Sequence, residues 1–285
     1  MSVVCRIVRD DGKEFNIDNK AWKIPSDGLE GWDYITPEIG TSARAFGDGS
    51  YISSKIVTEQ DRTVTAILTN KNLNSIMRDV VRSFFGVKRS FKVYLTYQGT
   101  IRWCEGELVA FSLPTNNIYE PLKLTFTILC PQPYLLSVDE FGKNIAEVMP
   151  RFGFPYVSLV NSGFLFSEYK FAKEVILDNN GDVETYAKIV ISANGDVTNP
   201  IIKKDDKFIK ILDKMVENDV IVIDLVKEPP TVEKNGKSII GKTTRDSSFE
   251  KMKLNIGSNT ISFDAEFGSN LLDVTIYYNQ RYGGM

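Results

Sequence analysis

Hydrophobic and polar residues alternate along much of the chain, and this alternation predicts β-strands. The pattern starts in residues 4–8, turns at Asp10-Asp11-Gly12 and returns through Phe15 and Ile17, which predicts a hairpin. Further alternating strands are predicted at residues 56–68, 91–97, 101–104 and 122–128. The first half of the chain is therefore mostly strand.

One segment of the first half has the period of a helix instead. Its apolar residues recur at i, i+3, i+4, i+7, i+8, i+11 and i+12, which is one stripe at 3.6 residues per turn. They are Leu73, Ile76, Met77, Val80, Val81, Phe84 and Phe85. We expect this helix to pack its stripe against a sheet and assign it no functional role.

The second half has the pattern of strands throughout. Asn194-Gly195-Asp196, Asn235-Gly236 and Gly257-Ser258-Asn259 are turn signals between short apolar runs. Residues 208–215 fit either a helix or a strand, and strand is favoured because every neighbouring segment is one. Several short strands separated by turns are typical of a β-sandwich.

Two prolines mark the end of the first half. Cys130-Pro131-Gln132-Pro133 stops the strand before it, because proline cannot continue a sheet ladder. The sequence thus predicts an N-terminal domain at residues 1–136, a linker at 137–150 and a C-terminal domain at 151–285. The predicted fold class is all-β with one helix in the N-terminal domain, and both domains are of the β-sandwich type.

Residues 25–50 differ from the rest of the first half, because glycine and proline interrupt them repeatedly. We interpret them as a long irregular segment that carries large apolar side chains. Such a segment either packs on a neighbouring subunit or folds over its own domain, and the pattern leaves both open. The residues that we single out as a candidate subunit interface are Trp32, Tyr34, Ile35, Arg44 and Phe46.

Charge and composition then exclude several classes of function. The chain has 34 Lys and Arg against 37 Asp and Glu, a net charge of −3, and residues 1–140 alone carry 16 against 17. This balance is unlike that of a nucleic-acid-binding or membrane-surface protein. The N-terminus lacks a signal-peptide pattern, and no apolar run approaches the ~18 residues of a membrane span. We expect synthesis in a bacterial cytoplasm and no membrane partner.

The sequence offers few candidates for catalytic and metal sites. The chain has no histidine, which removes the Ser-His and Cys-His nucleophile pairs and imidazole metal ligands. Cys5, Cys104 and Cys130 have no CxxC spacing and are interpreted as reduced core thiols. Glu105 and Glu107 share one face of a strand and are interpreted as surface charge. No catalytic, cofactor-binding or metal-binding residues are predicted, and we expect no enzyme activity.

Two short motifs resemble ligand-binding loops without their setting. Residues 236–243 match the phosphate-loop pattern G-x-x-x-x-G-K-[ST], yet Asn235-Gly236 predicts a hairpin turn where a parallel strand should end. Asp178, Asn180 and Asp182 have the alternate spacing of a calcium loop, but Gly181 is at the wrong position and no glutamate completes the motif. Both are interpreted as turn chemistry.

The order of the structural motifs resembles that of the distal tail proteins of siphophages, the phage tail family. In the second half the sequence Asn180-Gly181-Asp182-Val183-Glu184-Thr185 precedes a strand. It is followed in order by Asn199-Pro200, Val222-Ile223-Asp224, Asn235-Gly236, Ser247-Ser248-Phe249, Gly257-Ser258-Asn259 and Arg281-Tyr282-Gly283. In the first half Phe46-Gly47-Asp48-Gly49, the 56–68 strand, the helix, Tyr97-Gln98-Gly99 and Cys130-Pro131-Gln132-Pro133 occur in the expected order.

The resemblance implies a structural protein of the virion, at the distal end of a phage or phage-like tail. In that family the N-terminal domains form a homohexameric ring through which DNA passes without specific binding, and the C-terminal domain is a galectin-like β-sandwich that faces outward. The implied partners are other copies of the chain, the tail tube protein, a tail-associated lysin or baseplate hub protein, and a receptor-binding protein. No cofactor is implied.

Two other functions stay open at this stage. One is a carbohydrate-binding adhesion module of a tail tip, although the galectin-like domain lacks a large insertion of the kind that binds sugars in some relatives. The other is a hub component of a tail-derived bacteriocin, which carries no DNA. A tail-associated hydrolase is a further possibility that the residues do not support.

Overall fold

The computed structural model describes residues 3–86, 88–114, 120–138, 143–144, 146–150, 167–171 and 174–285. The chain divides into two compact units. Unit 1 consists of Met1–Val138 together with Arg281–Met285, and unit 2 consists of Asp139–Gln280. The predicted linker at 137–150 lies partly outside the described residues, and the predicted boundaries at 136 and 150 stay predictions.

Unit 1 is built on one large antiparallel sheet. The first eleven strands are β1 (Val4–Arg9), β2 (Glu14–Ile17), β3 (Trp22–Lys23), β4 (Leu29–Glu30), β5 (Glu38–Ala43), β6 (Ser50–Ile56), β7 (Gln60–Leu68), β8 (Ser90–Tyr97), β9 (Thr100–Ser112), β10 (Lys123–Cys130) and β11 (Leu135–Ser137). Strand order in the sheet is β2-β1-β8-β9-β10-β7-β3, and β4 also pairs with β7. The predicted hairpins β1–β2 and β8–β9 are confirmed.

One α-helix occurs among the described residues of unit 1, α1 (Asn74–Phe84), and it covers the inner face of this sheet. Its buried residues Val81 and Phe84, with Phe85 after them, join the sheet residues Phe91 and Phe126 in one core. Ring centroids of Phe85 and Phe126 are 4.8 Å apart, within the range of favourable aromatic contact. The predicted helix is confirmed, but Ile76 and Val80 at one edge of its stripe are exposed.

Strands β5 and β6 form a separate two-stranded sheet. β5 lies inside the segment 25–50 that the sequence predicted to be irregular, so that prediction was wrong for residues 38–43, whereas β6 lies almost entirely after the segment. The strands pair antiparallel from Glu38 opposite Ile56 to Ala43 opposite Ser50, with a register shift after Gly40. We call residues 34–56, which contain this hairpin, the arm. The predicted 56–68 strand corresponds to β7, which begins at Gln60, and residue 56 is the last residue of β6.

Unit 2 is a β-sandwich. Its strands are β12 (Lys143–Asn144), β13 (Ala146–Pro150), β14 (Ser167–Phe171), β15 (Glu174–Asn179), β16 (Ala187–Ala193), β17 (Val197–Lys204), β18 (Lys207–Lys210), β19 (Lys214–Met215), β20 (Val220–Asp224), β21 (Thr231–Lys234), β22 (Lys237–Ser238), β23 (Gly257–Phe267) and β24 (Leu272–Tyr278). One sheet has the order β12-β24-β16-β20-β21-β22 and the other β15-β23-β17-β18. Their inward residues, such as Ile191 and Ile223 from the first and Ile202 and Phe263 from the second, share one core.

The turn chemistry of unit 2 follows its sequence. Asn235 and Gly236 have φ values of 49° and 76° between β21 and β22, the left-handed conformation that a tight hairpin of this kind requires. Residues 207–210 and 214–215 are strands, as expected for the ambiguous segment. The predicted fold class, all-β with one helix in the N-terminal part, is confirmed.

After unit 2 the chain returns to unit 1. Residues 281–285, which we call the returning segment, begin with the short strand β25 (Arg281–Tyr282). It pairs antiparallel with β11, Tyr282 opposite Leu135 and Arg281 opposite Leu136. No local pattern indicates this pairing, because a two-residue strand has no measurable periodicity.

Candidate interaction surface

The arm carries large apolar side chains that no other part of unit 1 covers in the described structure. Phe46 at its tip is 95% exposed and Ile52 is 66% exposed. Tyr34, Ile39, Tyr51 and Ile56 are also exposed. Scattered exposed apolar residues are normal, but a group on one small element is typical of an interaction site.

The arm is also poorly stabilised by its own chain. All seven residues of β6 are exposed, and β5 is its sole strand partner among the described residues. An isolated two-stranded hairpin is at best marginally stable in water. Its charged residues, Glu38, Arg44, Asp48 and Lys55, cancel to zero. The arm is therefore an element without net charge, with exposed apolar side chains and one strand pairing of its own.

The structure separates the five residues predicted as a subunit interface into two groups. Tyr34, Arg44 and Phe46 are exposed on the arm. Ile35 is half-buried, and Trp32 is buried with 1% of its surface exposed. The Trp32 side chain thus belongs to the core of unit 1, and any role of it in an interface is indirect.

Sequence reasoning missed four exposed apolar residues of the arm. Ile39, Tyr51, Ile52 and Ile56 lie on β5 and β6. They were missed because strand prediction looks for one apolar and one polar face, and apolar residues occur on both faces of this hairpin. The signal in the sequence that could have identified them is the group of apolar residues at 51, 52 and 56, which occur among serines.

Residues 29–33, which we call the arm root, fix the arm to the sheet. β4 pairs with β7 at Leu29 opposite Val64, and the Trp32 indole Nε1 donates a hydrogen bond to the carbonyl of Thr63 at 3.1 Å. Gly31 has a φ of 76°, and a side chain there would collide with the carbonyl oxygen of Asp61. The root therefore has one permitted path along β7.

A buried arginine lies beneath the root. Arg62 is 1% exposed; its Nη2 donates to the carbonyl of Pro133 at 2.5 Å, and its guanidinium lies 5.6 Å from the Trp32 ring. A hydrogen bond from Cys104, aided by the positive charge of Arg62, lowers the pKa of Cys130 to about 7. Burial raises the pKa of Cys104. The Arg62 charge is thus held in the core by a carbonyl, an aromatic ring and a polarised thiol.

The returning segment lies against the other side of the root. The backbone amide of Met285 donates to the carbonyl of Trp32 at 3.0 Å. The Arg102 guanidinium donates to the carbonyl of Gly284 and lies 3.7 Å from the centre of the Tyr282 ring. Residues that are distant in sequence therefore meet at the base of the arm.

The motifs that resembled ligand sites are occupied by structural contacts. Lys242, the lysine of the phosphate-loop pattern, forms an ion pair with Asp213 at 2.9 Å, and it lies in a 3-10 turn instead of opening an α-helix. Asp178 accepts a hydrogen bond from Ser258 at 2.6 Å. Glu105 pairs with Lys92 at 3.7 Å. These contacts agree with the interpretation of the motifs as turn and surface chemistry.

In the part of the chain that the structure describes, no three or more His, Cys, Asp and Glu side chains are grouped so that they could hold a metal ion. None of the helices described there is long and apolar enough to cross a membrane.

Comparison with known proteins agrees with the sequence resemblance. Residues 180–282 match the family described as siphovirus-type tail component, C-terminal domain. No curated protein matches the chain. The crystal structure of the Dit (gp 19.1) protein of phage SPP1, described as a paradigm of hub adsorption apparatus in phages that infect Gram-positive bacteria, is similar with a TM-score of 0.68 and 13% identity. That similarity covers 97% of this chain and 98% of the SPP1 protein.

Two structures of the phage P2 baseplate in its activated conformation, with Ca and with Sr, are more weakly similar. Their TM-scores are 0.49 and 0.48 at 10% identity, over 100% of both chains. The resemblance to distal tail proteins is confirmed, by the family match in unit 2 and by the shared fold over nearly the whole chain.

Proposed function

We propose that this chain, whose residues 180–282 match the C-terminal domain of the siphovirus-type tail component family, is a structural protein of a phage tail tip that assembles into a ring. The observation that carries the proposal is the exposed apolar arm on a fold shared with SPP1 Dit. The ring is a homohexamer formed by the N-terminal part of the chain, residues 1–136.

In a ring each subunit offers two different surfaces, because every contact is head-to-tail. The arm supplies one of them. Tyr34 and Phe46 bury their rings against the neighbouring subunit, and Arg44 lies at the polar rim. Ile35 and Trp32 hold the base of the arm in place from within their own subunit.

The ring surrounds a lumen through which DNA passes. The near-equal numbers of cationic and anionic residues in residues 1–140 suit a conduit that does not retain nucleic acid. The ring joins the tail tube protein to a tail-associated lysin or baseplate hub protein, and the C-terminal sandwich at 151–285 faces outward toward a receptor-binding protein. The protein works by assembly in the virion and performs no turnover.

Oligomeric state tests the role of the arm. Light scattering and electron microscopy of the purified protein should show a ring, and Phe46→Ser and Ile52→Asp should each convert it to monomers. Matched controls exist in unit 2, where Ile256 is 63% exposed and Phe267 is also exposed. Ile256→Asp and Phe267→Ser should leave the ring intact.

Two results would contradict the proposal. One is a wild-type protein that stays monomeric at all concentrations and with its tail partners. The other is a ring that survives both arm substitutions, which would place the subunit contact elsewhere on unit 1.

A further inference from the structure

We infer that the returning segment, residues 281–285, locks the arm root in its orientation, with Arg102 as the positioning residue that holds the segment there. The inference concerns the arm as an interaction element and so rests on the proposed function. Its structural part, that residues after unit 2 control the order of residues 31–36, is tested without any ring.

The segment is fastened to the sheet at its start. Tyr282 and Arg281 pair with Leu135 and Leu136 of β11, which itself pairs with β9 at Trp103. This places the segment in the sheet beside the strand that carries Arg102. Backbone pairing alone extends over two residues, too few to fix the residues that follow.

Arg102 holds the residues of the returning segment from Tyr282 to Gly284. Its guanidinium donates to the carbonyl of Gly284 and stacks on the Tyr282 ring at 3.7 Å. An arginine over an aromatic face is attracted to the ring, more strongly when both are shielded from water. Arg102 is half-buried, so its two contacts hold Tyr282 and Gly284 in one fixed arrangement.

Gly284 brings the segment against the root. A side-chain carbon on Gly284 would lie 2.6 Å from the carbonyl carbon of Asp33 and 3.3 Å from the amide nitrogen of Tyr34. Only a glycine allows such an approach to the peptide bond at which the arm begins. The segment thus lies against the planar peptide group whose flanking dihedrals, ψ of Asp33 and φ of Tyr34, set the direction of the arm.

Met285 completes the contact. Its amide satisfies the carbonyl of Trp32 at 3.0 Å, and its side chain packs against the buried core of unit 1. Losing this donor would leave the carbonyl of a buried residue unpaired, which is costly. The root is therefore held on one side by β7 and on the other by the returning segment.

The test is hydrogen exchange of the full chain carrying Gly284→Ala, followed by mass spectrometry of peptides that cover 281–285 and 31–36. We expect exchange to rise about tenfold in both peptides, the effect of losing a hydrogen bond or two, and to stay unchanged in β16 and β20 of unit 2. Gly86→Ala is the matched control, because a carbon there meets only the Arg89 side chain at 3.7 Å.

A second pair of variants keeps the inference testable if Gly284→Ala fails to fold. Arg102→Met removes the hydrogen bond and the stack but leaves Gly284 unchanged, and should raise exchange in the same two peptides. Arg6→Met is its control, since Arg6 also lies over a ring, that of Tyr94 at 4.3 Å, on the same sheet. It should change neither peptide.

The outcomes separate this inference from the proposed ring. Faster exchange in 281–285 with no change in 31–36 overturns the lock, as does unchanged exchange in both peptides. If exchange responds as expected but the wild-type protein forms no ring, the lock stands and the proposed assembly fails.

Discussion

The guanidinium of Arg9 donates a hydrogen bond to the main-chain carbonyl of Phe84 at 2.9 Å and so ties the first strand of unit 1 to the last turn of helix α1. The same Nη1 atom donates to the carbonyl of Ser83 at 2.8 Å. Cationic groups suit the C-terminal end of a helix, where carbonyls lack partners inside the helix. Asp11 holds Arg9 in position through two further bonds, at 2.8 and 2.5 Å.

Arg9→Met should destabilise unit 1, because it removes the donor to two main-chain carbonyls and both hydrogen bonds from the guanidinium to Asp11. We expect the loss to be at least roughly twice that caused by Arg89→Met, which removes an exposed ion pair to Asp10. Urea unfolding followed by tryptophan fluorescence measures this in unit 1 alone, because the three tryptophans, Trp22, Trp32 and Trp103, all lie there. Equal losses for the two variants would show that Arg9 does not cap the helix.

The same contact makes the stability of unit 1 depend on pH. The hydrogen bond from Arg9 is the largest of the effects that hold the pKa of Asp11 well below its usual range. As the pH falls, the Asp11 carboxylate therefore becomes protonated at a higher pH in the unfolded chain than in the folded protein. The stabilisation of unit 1 by the Arg9–Asp11 contact is complete above about pH 3.9, the ordinary pKa of an aspartate in an unfolded chain. It decreases as the pH drops below that value.

Asp11→Asn tests that dependence. The variant should be less stable than the wild type at pH 6, and the difference should shrink as the pH falls from about 4. Fluorescence-monitored urea midpoints at several pH values measure it. A difference that is constant from pH 6 to pH 3 would contradict the assignment.

Gly106→Ala should destabilise unit 1 by about 1–3 kcal/mol through overpacking. A side-chain carbon on Gly106 would collide with the carbonyl of Leu129 and lie 3.2 Å from the Cys130 sulfur, and neither neighbour has space to move within the core. Gly86→Ala is the control and should stay within about 0.5 kcal/mol of the wild type. Urea unfolding by tryptophan fluorescence distinguishes the two, and equal values would mean that β9 and β10 separate without cost.

The helix shows how far periodicity predicts structure. The stripe from Leu73 to Phe85 located α1 within a residue or two at each end. It overestimated the buried face, because Ile76 and Val80 lie at its edge and the sheet beneath does not extend to them. The period of the apolar residues indicates which of them share a face of the helix, but how many of them are buried depends on the sheet against which the helix packs.

The arm and Arg62 show why the remainder could not be predicted in the same way. Strand patterns assume that one face meets a core, and the arm meets none within its own unit, so its residues resembled a loop. Arg62 follows the inward spacing of Val64, Ala66 and Leu68 on β7 and is buried with them. Its parity along the strand agrees with burial, whereas its charge favours the surface. The carbonyl of Pro133 pairs its Nη2, while Nε and Nη1 are buried without a hydrogen-bond partner.

The pairing of Arg281 with Leu136 has a consequence for how the gene can be rearranged. The chain leaves unit 1 after residue 138, one residue beyond β11, and re-enters it at residue 281, the first residue of β25, which pairs antiparallel with β11. Residues 139–280 are thus an insert whose entry and exit meet at strand spacing, about 5 Å. A different domain whose termini are equally close together could replace residues 139–280 without altering the hydrogen-bond ladder of unit 1. Recombination could therefore exchange the second unit as a whole.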